Sequence, residues 1–359
     1  MPGGLTAGRA GERRAAPAQP GLAAEPLAGV GVIVIGRNEA PRLRACFDAL
    51  RDVACPIVYV DSGSHDGSPQ VALARGIDTV CLREGPHTAA RGRQTGLEHL
   101  RARCPELRFV QFVDGDCVLD REWLGHGARF LHEHPEVAVA VGRLRERRAQ
   151  DSLLIRLVDV DWDLPTGEID AIGGISMARV AALDQVGGWR TGLVAGEELD
   201  LGARLRAAGW KLHRLPADMT FHDIGITRAG ELWRRSVRAG FAYAELAWLH
   251  GRQRCRRWLR RAASNLVYGG VLPVLFVLAL LFWWPGAALI GLAYGVLIAR
   301  MAWDRVQRGD AWPFALFYGL VLAALKVAGA LGTLKYVAVR LSGRGARLIE
   351  YKANPATGG

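Results

Sequence analysis

The sequence predicts an α/β domain, a mostly parallel sheet flanked by helices, followed by an α-helical transmembrane region. Three observations carry this reading. Strand, polar loop and helix recur in order from Val30 onward, the strand Arg108 to Val113 ends in two carboxylates at Asp114 and Asp116, and the last third holds long apolar runs. With 359 residues there is room for one sizeable core and an appendage.

The first unit is the apolar, β-branched run Val30 to Ile35, a polar loop Gly36 to Glu39, and a helical pattern from Pro41 through Leu50. Ile57 to Val60 is the next strand, closed by the Gly/Ser-rich loop Asp61 to Ser68 and a helix. Thr79 to Leu82 and the helix Ala89 to Arg103 form a third unit before the strand that delivers Asp114. Functional loops of such sheets lie at the strands' C-terminal ends, where Asp61 and Asp114 both fall. Beyond Arg121 the pattern loosens into a helix to His132, a strand Val137 to Val141, a helix Leu153 to Asp163, a Gly-rich turn at Gly173 and Gly174, and a helix Arg179 to Val186. Gly196 then opens a helix that ends near Gly209 and begins Glu197, Glu198. Acidic residues at a helix start gain from its dipole, so capping alone explains them unless other acids share the cleft.

Leu266 to Trp284, Ala287 to Ala299 and Trp312 to Leu334 are apolar enough to give two or three membrane helices, with Trp283, Trp284, Trp303 and Trp312 at their edges. The net charge of +11 is concentrated just before them, at Arg234, Arg235, Arg238, Arg252, Arg254, Arg256, Arg257, Arg260 and Arg261. The positive-inside rule therefore sets the α/β domain in the cytoplasm, at a plasma (inner) membrane. The basic cluster abuts an apolar span and lacks base-stacking aromatics, which argues against nucleic acid. Three true spans would place Arg340, Arg344, Arg347 and Lys352 outside, against the same rule.

The expected layout is a disordered tail over 1–29 without a signal peptide, an α/β domain over 30–228, basic amphipathic interfacial helices over 229–262, membrane helices over 263–340, and a basic tail over 341–359. Cys46, Cys55, Cys81, Cys104, Cys117 and Cys255 show neither C-x-x-C nor zinc spacing, and read as reduced packing residues.

Carboxylates at the end of a core strand are costly unless they meet a cation. Hard oxygen ligands select Mg²⁺ or Mn²⁺, which completes its shell with phosphate oxygens, so Asp114-Gly115-Asp116 suggests a nucleotide-diphosphate substrate. Taken alone, an Asp-x-Asp is more often a solvated turn.

Its company is more specific. Val32 to Glu39, Val60 to Gly67, Ala90-Arg91, Asp114 to Asp116, Gly173-Gly174 and Gly196 to Leu201 form an ordered set that resembles the family 2 inverting glycosyltransferases, over roughly Val30 to Asp223. Two departures stand out: Gly36-Arg37 where that family often has Pro-Thr-Tyr, and Glu198 where aspartate is commoner. The resemblance implies the GT-A fold, a nucleotide-sugar donor and a divalent cation. It implies Asp116 as a metal ligand, Asp114 on ribose or the metal shell, and His222 as a further ligand. Glu39 and Asp61 would hold the nucleotide, and Arg91 the diphosphate. Glu198 would be the base, with Glu197 and Gly174 at the acceptor. Processive relatives carry Gln-x-x-Arg-Trp after the base; Glu231 to Arg235 does not match it, which favours transfer of one sugar onto a lipid-linked acceptor in exopolysaccharide or glycolipid assembly. Two readings compete: transfer onto polyprenyl phosphate, and a non-catalytic, membrane-tethered nucleotide-binding protein. An NAD enzyme is disfavoured because no Gly-x-Gly-x-x-Gly follows the first strand.

Overall fold

A computed structural model describes residues 27–193, 195–223, 225–226, 228–254 and 256–343, without the side chains of 252–254 and 256. Most of the two expected tails, with Arg344, Arg347 and Lys352, lies outside the described residues, as do Cys255 and the side chains of Arg252, Arg254 and Arg256.

The first half follows the repeating pattern. Strands β1 (Val30–Gly36), β2 (Ile57–Asp61), β3 (Asp78–Cys81) and β4 (Phe109–Asp114) run parallel in the order β3-β2-β1-β4. Helices α1 (Ala40–Ala49), α2 (Ser68–Leu73) and α3 (Ala89–Arg103) connect them. β1 is buried at every position but its last, as a strand covered on both faces must be. Thr88 caps α3 by accepting from the Arg91 N–H at 3.2 Å. A Cβ at Gly96 would stand 2.5 Å from Ile33, so only glycine lets α3 lie this close to β1.

The second half is mixed. It comprises β5 (Cys117–Leu119), α4 (Trp123–Glu133), β6 (Val137–Glu146), α5 (Leu153–Trp162), β7 (Gly167–Glu168), β8 (Ser176–Arg179), α6 (Val180–Gln185), α7 (Glu197–Ala207) and β9 (Lys211–His222). β8 lies antiparallel between β4 and β6, β9 pairs parallel with β6, and β5 and β7 pair antiparallel with β9. The sequence pattern gave no sign of β5, β7, β8 or β9. β9 carries Pro216 and its pairing with β6 shifts register between Val141 and Arg143, both of which blur the two-residue alternation.

The C-terminal part is helical: α8 (Ala229–Arg254, broken at Gly251 where φ is +68°), α9 (Arg256–Leu266), a π-turn (Val267–Val271), α10 (Leu272–Phe282), α11 (Trp284–Gln307) and α12 (Trp312–Ser342). Arg257–Phe282, Trp284–Gln307 and Trp312–Ser342 are long and apolar enough to cross a membrane. α10 buries none of its residues, and Leu281, Phe282 and Trp284 stand in the open. α8 lies against α12 through small residues. A Cβ at Gly240 would meet the Gly329 carbonyl at 2.1 Å, one at Gly332 the Val237 carbonyl at 2.0 Å, and Thr333 Oγ1 donates to the Gly240 carbonyl at 3.2 Å.

Candidate active site

The C-terminal ends of β2, β1 and β4 lie side by side, with Gly36 opposite Asp61 and Ile35 opposite Asp114. Asp61 is buried and accepts three hydrogen bonds, from Tyr59 Oη at 3.0 Å and from the N–H groups of Gly63 and Ser64 at 3.0 and 2.8 Å. Asp66 shapes the same loop and joins it to the next, accepting from the Ala40 N–H at 2.9 Å and from Ser68. Asn38, at φ +56°, accepts from the His65 N–H at 2.9 Å and donates its own N–H to Ser64 Oγ at 2.9 Å. The two loops are therefore one rigid wall. Glu39 lies buried beside it and accepts from Arg42 at 2.6 Å; Arg42 also feels the charges of Asp116 and Asp223.

Asp114 and Asp116 part company. Asp116, 5 % exposed, faces His222, whose Nε2 is 3.3 Å from its Oδ2. His222 Nδ1 contacts Glu146 Oε1 at 2.6 Å, and the Glu146 N–H donates to Asp159 of α5 at 2.9 Å. Trp162 meets the His222 ring edge-on at 5.1 Å. Burial alone would push His222 down; the Asp116 charge and the hydrogen bonds to Asp116 and Glu146 outweigh it and raise the imidazole to about 9. The ligand atoms of Asp116, Cys117 and His222 all lie within 4.8 Å of one another, and all three residues are buried. A carboxylate and an imidazole fixed from behind by a second carboxylate fit a divalent cation.

Asp114 belongs to a second cluster, built on Arg93. This guanidinium, 3 % exposed, donates to Asp114 at 2.8 Å and to Glu197 at 3.0 Å, and lies 5.1 Å from the Trp189 ring centroid. It joins the end of β4 to the start of α7. Gly174 explains itself here, since a Cβ would stand 2.2 Å from Arg93 Nη2. Glu198 is half-buried next to Glu197; burial first, and the Glu197 charge second, push it up to about 7, while Arg93 and Arg238 pull the other way. Asp200, fully buried, accepts from Arg204 at 2.8 Å and meets His250 of α8 at 2.8 Å, fastening α7 to the helices below.

Arg91, expected at the diphosphate, is half-buried and donates to the carbonyls of Glu84 and Pro86. Arg93, Glu146 and Arg42 went unnoticed in the sequence. Arg93 had a signal: with Ala90, Leu97 and Leu100 it follows the three-and-four spacing of the buried face of α3, and Arg91 does not.

A parallel half-sheet whose strand ends converge on a carboxylate–histidine pair, extended by a mixed half that carries a second acidic cluster, defines the GT-A class of nucleotide-sugar folds. Residues 31–157 match the family described as Glycosyl transferase family 2. Over those residues the chain is similar to that family, and the fold is GT-A. It is 24 % identical over 263 residues to Glycosyltransferase AglE of Haloferax volcanii, covering 68 % of this chain and 81 % of the relative. Its likeness to the probable glucomannan 4-beta-mannosyltransferase 10 of Arabidopsis thaliana is 24 % over 151 residues, 38 % of this chain and only 27 % of the relative's length. Among solved structures, the mannosyltransferase PcManGT of Pyrobaculum calidifontis, in complex with GDP-Man and Mn²⁺, superposes with a TM-score of 0.59 at 19 % identity, covering 86 % of this chain and 87 % of that one.

Proposed function

We propose that this protein is a membrane-associated inverting glycosyltransferase that moves one sugar from a nucleotide-diphosphate donor to a lipid-linked acceptor in exopolysaccharide or glycolipid assembly. The observation that carries it is Arg93, which ties Asp114 on the donor side to Glu197 at the start of the helix bearing Glu198. Donor and acceptor groups are thereby held in one cleft, which is what converts two bound substrates into an effectively unimolecular reaction.

Glu39 and Asp61 wall the nucleotide, with Asp114 at the ribose. Asp116 and His222 would hold Mg²⁺ or Mn²⁺, and the bound ion would neutralise the charge developing on the departing diphosphate. Arg42, beside Asp116, and Arg91 are the cations available to the same phosphates. Glu198 takes the proton of the acceptor hydroxyl as its oxygen bonds to the anomeric carbon and the bond to the diphosphate breaks on the opposite face, inverting configuration. Glu197 and the backbone at Gly174 orient the acceptor. A base held near pH 7 is matched to that transfer at physiological pH.

The apolar helices and the preceding run of arginines support a lipid-linked acceptor and a plasma-membrane location with the domain on the cytoplasmic side. The test is a nucleotide-sugar panel assayed with Mn²⁺ and with Mg²⁺ on protein purified in detergent, alongside Asp116→Ala and Glu198→Ala. Loss of turnover in both variants with the fold intact is expected, and normal turnover in both rules the site out. Polyprenyl phosphate is already an anion and needs little help from a base, so activity that survives Glu198→Gln would mark it as the acceptor.

A further inference from the structure

We infer that α12 does not cross the bilayer but lies along its surface, one face on α8 and, near its start, on α5 of the α/β domain, the other on lipid, so that both of its ends stay on the domain's side. This rests on the membrane reading above. By length and composition α12 could span. Its contacts argue otherwise.

At its start, Asp310 accepts from Arg156 of α5 at 3.0 Å and from Arg305 at 2.7 Å, and Tyr318 donates to Asp161 of α5 at 2.6 Å. Phe317, Val321, Leu322 and Leu325 continue over Ile155, Val158 and Leu232. Towards its end, Tyr336 meets the Phe241 ring at 5.3 Å and Arg340 lies over Trp248 at 4.9 Å, both on α8. α8 is itself fastened to the domain at each end, by Arg235 over Trp162 at 5.6 Å and by His250 on Asp200 at 2.8 Å. From Tyr318 to Arg340 the helix advances roughly 33 Å at 1.5 Å per residue, about the thickness of a hydrocarbon core. A helix crossing the bilayer would carry one end that far from the domain; here the first end touches α5, and the last rests on α8 at Trp248, two residues from the His250 that meets Asp200 of the domain. α8, which runs beside α12, carries Glu231, Arg234, Arg235 and Arg238, groups that hydrocarbon does not accept.

The outer face says what covers it. Leu316, Leu320, Leu331, Leu334 and Leu341 are exposed along one stripe, while Phe314, Gly329, Gly332 and Tyr336 occupy the opposite, buried one. The exposed stripe follows the apolar helices α10 and α11 in sequence and is bordered by Lys335, a cation suited to anionic headgroups. This placement also removes the conflict with the positive-inside rule, because Arg340 then shares a side with the basic run before α9.

The test uses full-length protein in sealed membrane vesicles and a membrane-impermeant maleimide, with sites resolved by peptide mass spectrometry. Arg308→Cys and Ser342→Cys, both at exposed positions, bracket α12, and the exposed native Cys81 reports the side of the domain. All three should react from the same side. Reaction of Ser342→Cys solely from the side opposite Cys81 overturns the placement. A bimane on Leu331→Cys should be quenched more strongly by lipids brominated near the headgroup than by lipids brominated at the chain ends; the reverse order also overturns it. A chain that leaves the membrane fraction on alkaline washing removes the membrane reading itself, a result distinct from either.

Discussion

Arg93 is a buried cation held by two carboxylates, so removing it leaves Asp114 and Glu197 facing each other without compensation. Arg93→Met should cost about 3–5 kcal/mol in unfolding measurements, a loss typical of breaking one side of a buried ion pair. Gly174→Ala should reproduce part of that loss by pushing the guanidinium aside. Glu198 sets the pH response: kcat/KM should rise as pH climbs through about 7 and the carboxyl gives up its proton. Its raised pKa has the opposite sign for stability, which declines between the unfolded carboxyl range near ~4.3 and about 7, because the folded state binds that proton more tightly than the unfolded chain does. Glu146→Gln leaves Asp116 and His222 in place but loosens the imidazole, and should weaken Mn²⁺ binding by roughly 10–100-fold in a titration read by electron paramagnetic resonance. Asp116 could be singled out from the sequence because it lies two residues past the end of an apolar strand, and His222 only through the family resemblance. Glu146 could not, since its role exists only once β6 and β9 pair.

The parallel half could be read from its repeating units, where each strand is a short apolar run and each loop is polar. α3 began and ended where its cap and periodicity put it. The mixed half resisted because its strands are short, bulged or Pro-containing, and their partners are distant in sequence. Helix packing was equally hidden, since glycine in an apolar run signals nothing until another backbone is laid on it. Gly240 and Gly332 show the cost of that closeness: Gly240→Leu should separate α8 from α12 and lower the melting temperature in detergent by several degrees, as overpacking of about 1–3 kcal/mol does.

The molecule taken together is an α/β domain seated on its own apolar helices. The Asp116–His222–Glu146 cluster touches α5 through Asp159 and Trp162, and α5 touches α12 through Arg156 and Asp161. The Asp116–His222 cluster and the apolar helices thus belong to one packed structure. Extraction into harsh detergent should therefore depress the affinity for Mn²⁺ before it unfolds the sheet, a sequence of events that parallel cation titration and circular dichroism can order.

The π-turn at Val267–Val271 has a consequence of its own. Its wide turn sets Gly269 against the Lys326 carbonyl, where a Cβ would stand 1.9 Å away. Deleting one residue there would restore ordinary α-helical bonding, yet swing everything downstream by about 100° around the axis. Leu275, Leu278 and Phe282 would then point along new bearings while the chain before them kept its place, so the local ladder would improve as the aim of the whole hairpin was lost.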